Sequence, residues 1–204
     1  RFLLVADDEW LGQVDPRYID PIGYRHIASC ELMNTISPDR LDPVKIYLTE
    51  YPLTTTNLKA GAQADLLKRL DDGALLWSFF GHGAGFQLCH EQILHITNTV
   101  PQVKTGLRQS VAFFGSCGVG RFDDTRYESV AEELVRREEG CIATVAATKA
   151  TDPGGNEALA RGLFTFLVQR PDLPVGAAFY SGYSRTNTLY HLFGDPGLKL
   201  RLPA

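Results

Sequence analysis

Cys117 and His82 are the residues of this 204-residue chain whose types and settings suit covalent chemistry. A thiol needs help to become a strong nucleophile at neutral pH, because free cysteine ionises near pH ~8.5. An imidazole, titrating near ~6.5, can take that proton and later return it to a leaving amine. Both residues sit among glycines, in Gly81-His82-Gly83-Ala84-Gly85 and Gly115-Ser116-Cys117-Gly118-Val119-Gly120, and each cluster directly follows an apolar run. Glycine weakens cores, so such clusters mark close approach of the backbone to a ligand. The chemistry implied is acyl transfer through an acyl-enzyme, with the N–H groups of Gly83 and Cys117 as donors to the oxyanion. A carboxylate is needed to orient the imidazole. Asp8 is the candidate, in Ala6-Asp7-Asp8 at a third strand end, with Asp7 and Glu9 beside it as competitors.

Regular elements must bring those three loops together. Apolar runs predict strands over 2–6, 44–48, 74–80, 111–114, 142–147 and 198–202. Amphipathic spacing predicts helices over 22–33, 60–70, 129–137 and 156–168. Alternation of the two implies an α/β fold, with right-handed crossovers and a mostly parallel sheet covered on both sides. In such sheets ligands gather outside the carboxyl ends of the strands, where all three loops emerge. No repeat, low-complexity stretch or linker divides the chain, so residues 1–204 are expected to form one domain.

Composition removes some function classes. A net charge of −4 argues against a nucleic-acid partner, which demands a basic face. No apolar run approaches the ~20 residues that span a bilayer. The chain starts at Arg1 and passes straight into an apolar run, so it reads as a segment of a longer polypeptide whose other domains are its partners. Four cysteines without close pairing suggest neither a zinc site nor a disulfide framework, although Cys30–Cys89 and Cys89–Cys141 bridges stay open. Cys30 and Cys141 read as small buried hydrophobes. Cys89, His90 and His95 fall together but match no standard zinc spacing, and His26 reads as a surface or core helix residue. The acyl-transfer chemistry requires no cofactor, and the acidic loops leave room for a structural calcium ion. Glu132, Glu133, Glu138 and Glu139 read mostly as a solvated face. An alternative hydrolase order, Cys117-Asp152-His191, leaves Gly81-His82-Gly83 unexplained and has Val119 where a nucleophile elbow wants Gly.

These motifs resemble those of the gingipain-type cysteine peptidases, and among them the sortase-like members of the type nine secretion system. Gly81-His82-Gly83 resembles the family's Gly-His-Gly after its third strand, and Cys117 its catalytic cysteine after the fourth. Ala6-Asp7-Asp8, Lys45-Ile46-Tyr47-Leu48, Arg121-Phe122-Asp123-Asp124, Ser129 with Glu132, and Gly194-Asp195-Pro196 with Leu198 and Leu200 follow in the family's order. The resemblance implies a caspase-like three-layer α/β/α sandwich, a cysteine peptidase acting on peptide or protein substrates, and a secreted or cell-envelope bacterial setting. It also implies that the smaller subdomain preceding the catalytic one lies outside this chain. Asp15 and Asp20 occupy the loop whose acidic residue selects a basic side chain in Arg-cutting relatives. Ser116 and Gly118, which flank the thiol, are assigned to the substrate side. Gly118 replaces an acidic residue usual in the sortase-like members, and Ala84-Gly85-Phe86 lacks their tryptophan. A peptidase-like module without activity, retained in a larger surface protein, is the non-enzymatic alternative.

Overall fold

A computed structural model of the chain describes residues 1–8, 23–183 and 189–203. Its strands are β1 (Phe2–Ala6), β2 (Pro43–Tyr47), β3 (Leu76–Phe80), β4 (Gly83–Ala84), β5 (Gln87–Leu88), β6 (Leu94–His95), β7 (Ser110–Gly115), β8 (Cys141–Ala147) and β9 (Tyr190–Gly194). Its helices are α1 (Gly23–Ile36), α2 (Ala60–Asp71), α3 (Val130–Arg136), α4 (Pro153–Gln169) and α5 (Val175–Gly182). Six strands form one sheet in the order β2-β1-β3-β7-β8-β9, parallel except for β9, which runs antiparallel to β8.

The continuous apolar runs become strands covered on both faces: β1, β3 and β7 are buried throughout. Alternation along each strand splits the interior into two cores. Phe2, Leu4, Phe80, Phe113 and Val145 face α1, α4 and α5. Leu3, Val5, Phe79, Phe114 and Ala146 face α2, α3 and the small antiparallel sheet β4-β5-β6. The result is the expected three-layer α/β/α sandwich. Register then levels the strand ends, because Ala6 pairs with Phe80 and Phe80 with Gly115.

Two helices start on clear signals. Ser129 accepts from Glu132 N–H, and the Glu132 carboxylate accepts from Ser129 N–H at 2.9 Å, a reciprocal cap that takes Glu132 out of the solvated face assigned to it. Asp152 caps α4 by accepting from Gly155 N–H at 2.8 Å, with Pro153 in the first turn.

The last strand differs from expectation. Residues 198–202 form no strand beyond a single bridge of Lys199 to Pro174; a turn at 195–198, held by Gly197 N–H donating to the Asp195 side chain, sends them over the first core, where Leu200 is buried. β9 closes the sheet instead, its identity set by antiparallel pairing with β8 that no local pattern announces. All four cysteines are free, which closes both bridge options. No helix among the described residues is long and apolar enough to cross a membrane.

Phe113 joins several parts of the first core, stacking on Tyr190 with centroids 5.5 Å apart and touching Phe80 and Phe164. Truncation to Ala removes these contacts and leaves a cavity. Phe113→Ala is expected to cost about 3–5 kcal/mol in denaturant unfolding.

Candidate active site

His82 and Cys117 each stand two residues beyond strand ends that pair with one another, Phe80 and Gly115. Both are half-buried. The histidine loop is held from below by Asp7, a fully buried carboxylate that accepts His82 N–H at 2.8 Å and Asp8 N–H at 2.8 Å. Burial raises the pKa of Asp7 to about 6, while the His82 N–H bond and the nearby rings of His26 and His82 pull it back. Asp8 turns its carboxylate to the Lys59 ammonium, which also donates to the Leu48 carbonyl at 2.5 Å. Lys59 is itself buried at the start of α2. Nothing in the sequence flagged it, since an isolated lysine reads as solvated surface.

The His82 loop continues into β4, whose partner β5 sets the direction of its amides. Cys89 N–H donates to His82 carbonyl at 2.9 Å, so Gly83, opposite Leu88, falls at the next, non-hydrogen-bonded position. Its N–H therefore points away from the ladder. The N–H of Cys117 likewise has no intramolecular acceptor among the described residues. The ring of His82 lies 6.3 Å from that of His26 on α1 and 5.7 Å from that of His90. His26, read from sequence as an ordinary helix residue, is buried beside the site.

The cysteine loop rests on the end of β8. The Cys117 sulfur accepts from Thr151 N–H at 3.4 Å and lies 3.7 Å from the Thr151 carbonyl oxygen. Gly118 adopts φ +63°, a left-handed turn that suits glycine, and donates to the Lys149 carbonyl. Beneath the loop, the Tyr190 hydroxyl donates to Asn156 Oδ1 at 2.6 Å and lies 3.4 Å from the Phe114 carbonyl. Thr151 and Tyr190 were missed. The strand-end rule points to Thr151, but Tyr190 arrives from a distant segment. Burial pushes up the thiols of Cys30, Cys89 and Cys141, leaving Cys117 as the partly exposed cysteine of the four.

Other expected residues separate. Ser116, assigned to the substrate side, is buried because alternation past β7 turns its hydroxyl inward beneath Gly83. Gly118 stays on the open side, with space around its α-carbon. Asp15 and Asp20 lie outside the described residues. Asp124 is gripped by the Arg126 guanidinium at 2.7 and 2.8 Å, which holds its carboxyl well below the usual range. His191 stacks edge-on against Phe122 and Asp152 caps α4, so among the described residues no hydrogen bond links Cys117, Asp152 and His191 in the alternative order.

A search of curated proteins found no match to this sequence. A family model, that of peptidase family C25, matches residues 1–201. The chain belongs to peptidase family C25. Among solved structures, the Arg-specific cysteine proteinase gingipain R (RgpB) superposes with a TM-score of 0.73 at 18% identity, covering 98% of this chain and 47% of that one. The complex of Porphyromonas gingivalis RgpB pro- and mature domains gives a TM-score of 0.72 at 18% identity, covering 99% and 48%. A third, described as the structure of a protease, gives 0.66 at 13% identity, covering 97% and 47%. At these identities the likeness establishes a shared, caspase-like fold. This C25 chain spans less than half the length of the solved chains it matches.

Gly83 is where the two loops meet. A Cβ there would run into the Ser116 hydroxyl and come within 2.7 Å of a Val119 methyl. Gly83→Ala is therefore expected to push the His82 loop off the Cys117 loop and destabilise this C25 domain by about 1–3 kcal/mol. Adding Ser116→Ala should restore part of that loss, which a double-mutant cycle of unfolding free energies measures.

Proposed function

We propose that this chain is the catalytic unit of a cysteine endopeptidase or transpeptidase that works through Cys117 and His82. The supporting observation is the level arrangement of strand ends, which sets both side chains at one edge of the sheet with Asp7 fastening the histidine loop. In this reading His82 takes the thiol proton as sulfur bonds to the peptide carbonyl carbon. The N–H groups of Gly83 and Cys117 receive the oxyanion, which a dry site rewards strongly. The carbon–nitrogen bond then breaks, and the amine leaves with the proton from His82. Water, or a second amine, attacks the acyl-enzyme and frees the thiol. Asp8, steadied by Lys59, serves as the third member and, with Asp7, supplies negative charge that favours the imidazolium form.

The solved relative is called Arg-specific. We carry that forward as a preference for a basic residue before the scissile bond, with Asp15 and Asp20 as its acidic partners. The parent protein is proposed to be a bacterial secreted or envelope peptidase, in which this domain is joined to others.

A peptidyl probe that alkylates thiols should label Cys117 ahead of the three buried cysteines. A peptide-library assay should show that Cys117→Ala and His82→Ala each lower kcat/KM by roughly 10³-fold or more. Full activity in His82→Ala would overturn the mechanism, and failure to label Cys117 would leave a peptidase-like module without activity. In the same assay, Asp15→Asn or Asp20→Asn should lower kcat/KM for Arg and Lys substrates by about 10-fold or more while sparing others.

A further inference from the structure

Cys89, His90 and His95 are neighbours in sequence, and the fold sends them in three directions. His95 turns to Thr97 and Phe86, and His90 packs against the ring of His82. Cys89 turns inward. There its sulfur, a carboxylate oxygen of Asp7 and one of Glu91 all lie within 4.8 Å of one another, and all three residues are buried. Glu91 is the decisive member. Its side chain is 0% exposed, and among the described residues no N–H or hydroxyl donor reaches either of its oxygens, which meet only the Asp8 carboxyl, through a shared proton. The Lys59 ammonium stands 3.9 Å from one oxygen but is already bonded to Asp8 and to the Leu48 carbonyl. A buried carboxylate so placed is costly unless a proton or a metal ion neutralises it.

We propose that Asp7, Cys89 and Glu91 bind one divalent metal ion of borderline softness, with Zn²⁺ as the fitting class and Cd²⁺ as its probe. A thiolate among the donors selects against Ca²⁺ and Mg²⁺, which take oxygen ligands. Zinc accepts one sulfur at ~2.3 Å and carboxylate oxygens at about 2.0–2.2 Å, so side-chain shifts of about an ångström close the site. On binding, the Cys89 thiol and any protonated carboxyl release their protons to solvent, and sulfur and oxygen lone pairs form the metal bonds. The ion and Lys59 then supply three positive charges against the four of Asp7, Asp8, Cys89 and Glu91. Each carboxylate oxygen carries two lone pairs, so Asp7 can ligate while still accepting His82 N–H. The ion would thus clamp the loop that bears His82 without touching the substrate. The site does not depend on Cys117 being a nucleophile.

The test uses the protein as Cys117→Ala, which removes the accessible thiol that would compete, kept reduced and titrated with Cd²⁺. One equivalent should bind with an ultraviolet sulfur-to-cadmium charge-transfer band, be displaced by Zn²⁺, and raise the unfolding temperature. Adding Cys89→Ser should abolish the band and weaken binding by about 100-fold or more, beyond the loss of an outer-shell partner. Glu91→Gln should keep the band yet weaken binding by about 10-fold or more. If Cys117→Ala takes up no Cd²⁺, or if Cys89→Ser leaves the binding unchanged, the site is overturned and Glu91 carries a proton instead. The titration needs no cleavage to be read, so its failure and that of the proposed peptidase activity are separable.

Discussion

Asp7 accepts main-chain N–H bonds from Asp8 and from His82, so one buried carboxylate joins the end of β1 to the end of β3. Placing a carboxylate in a dry interior disfavours its charge, and the raised pKa of Asp7 records that cost. The two N–H groups offset it by satisfying the oxygens. In return the first residues of the histidine loop lose their freedom to turn. The parallel register of β1 with β3 brings the two partners within reach, and the loop direction follows. Around this bond sit several groups that surface positions rarely hold. Lys59 is buried with Asp8, and Glu91 is buried with its pKa raised to about 9 by desolvation and by the charges of Asp7 and Asp8. The region behind His82 is thus buried and rich in acids.

The cysteine half is built differently. Among the described residues no carboxylate clamps it; Thr151, in the segment between β8 and α4, and the Tyr190–Asn156 hydrogen bond beneath it define where Cys117 rests. Tyr190 and Asn156 belong to the side of the sheet covered by α4, whereas Cys89, which Asp7 and Glu91 adjoin, belongs to the opposite core. The two halves of the site meet across Gly83 and Ser116, and Val119 of the cysteine loop shares the second core with Cys89. Small shifts of one layer against the other register first at that contact, because close-packed interiors transmit displacement and do not absorb it.

The fold class was legible in the sequence because it rests on local patterns. Continuous apolar runs marked β1, β3, β7 and most of β8, and amphipathic spacing marked α1, α2, α3 and α4 to within a few residues. Strand-end chemistry followed from the same pattern, since glycines around His82 and Cys117 are visible without coordinates. What lay hidden was decided by pairing between distant segments. β9 and the short strands β4, β5 and β6 carry little periodicity of their own and exist through their partners. The inward turn of Ser116 came from the strand alternation, which a motif comparison does not track.

Sequence by itself determined an α/β domain with a thiol and an imidazole at neighbouring strand ends, because apolar periodicity and glycine clusters are local properties of the chain; the peptidase family came from the resemblance of its motifs. Tertiary structure alone decided which acid does what. Asp7, Asp8 and Glu91 look alike in sequence, yet one binds main-chain N–H groups, one binds Lys59, and one is buried with no N–H or hydroxyl donor among the described residues. Those differences arise from burial and from the nearness of segments up to 84 residues apart in the numbering, as between Asp7 and Glu91. A charged side chain takes its properties from the groups around it, and no local pattern reports them.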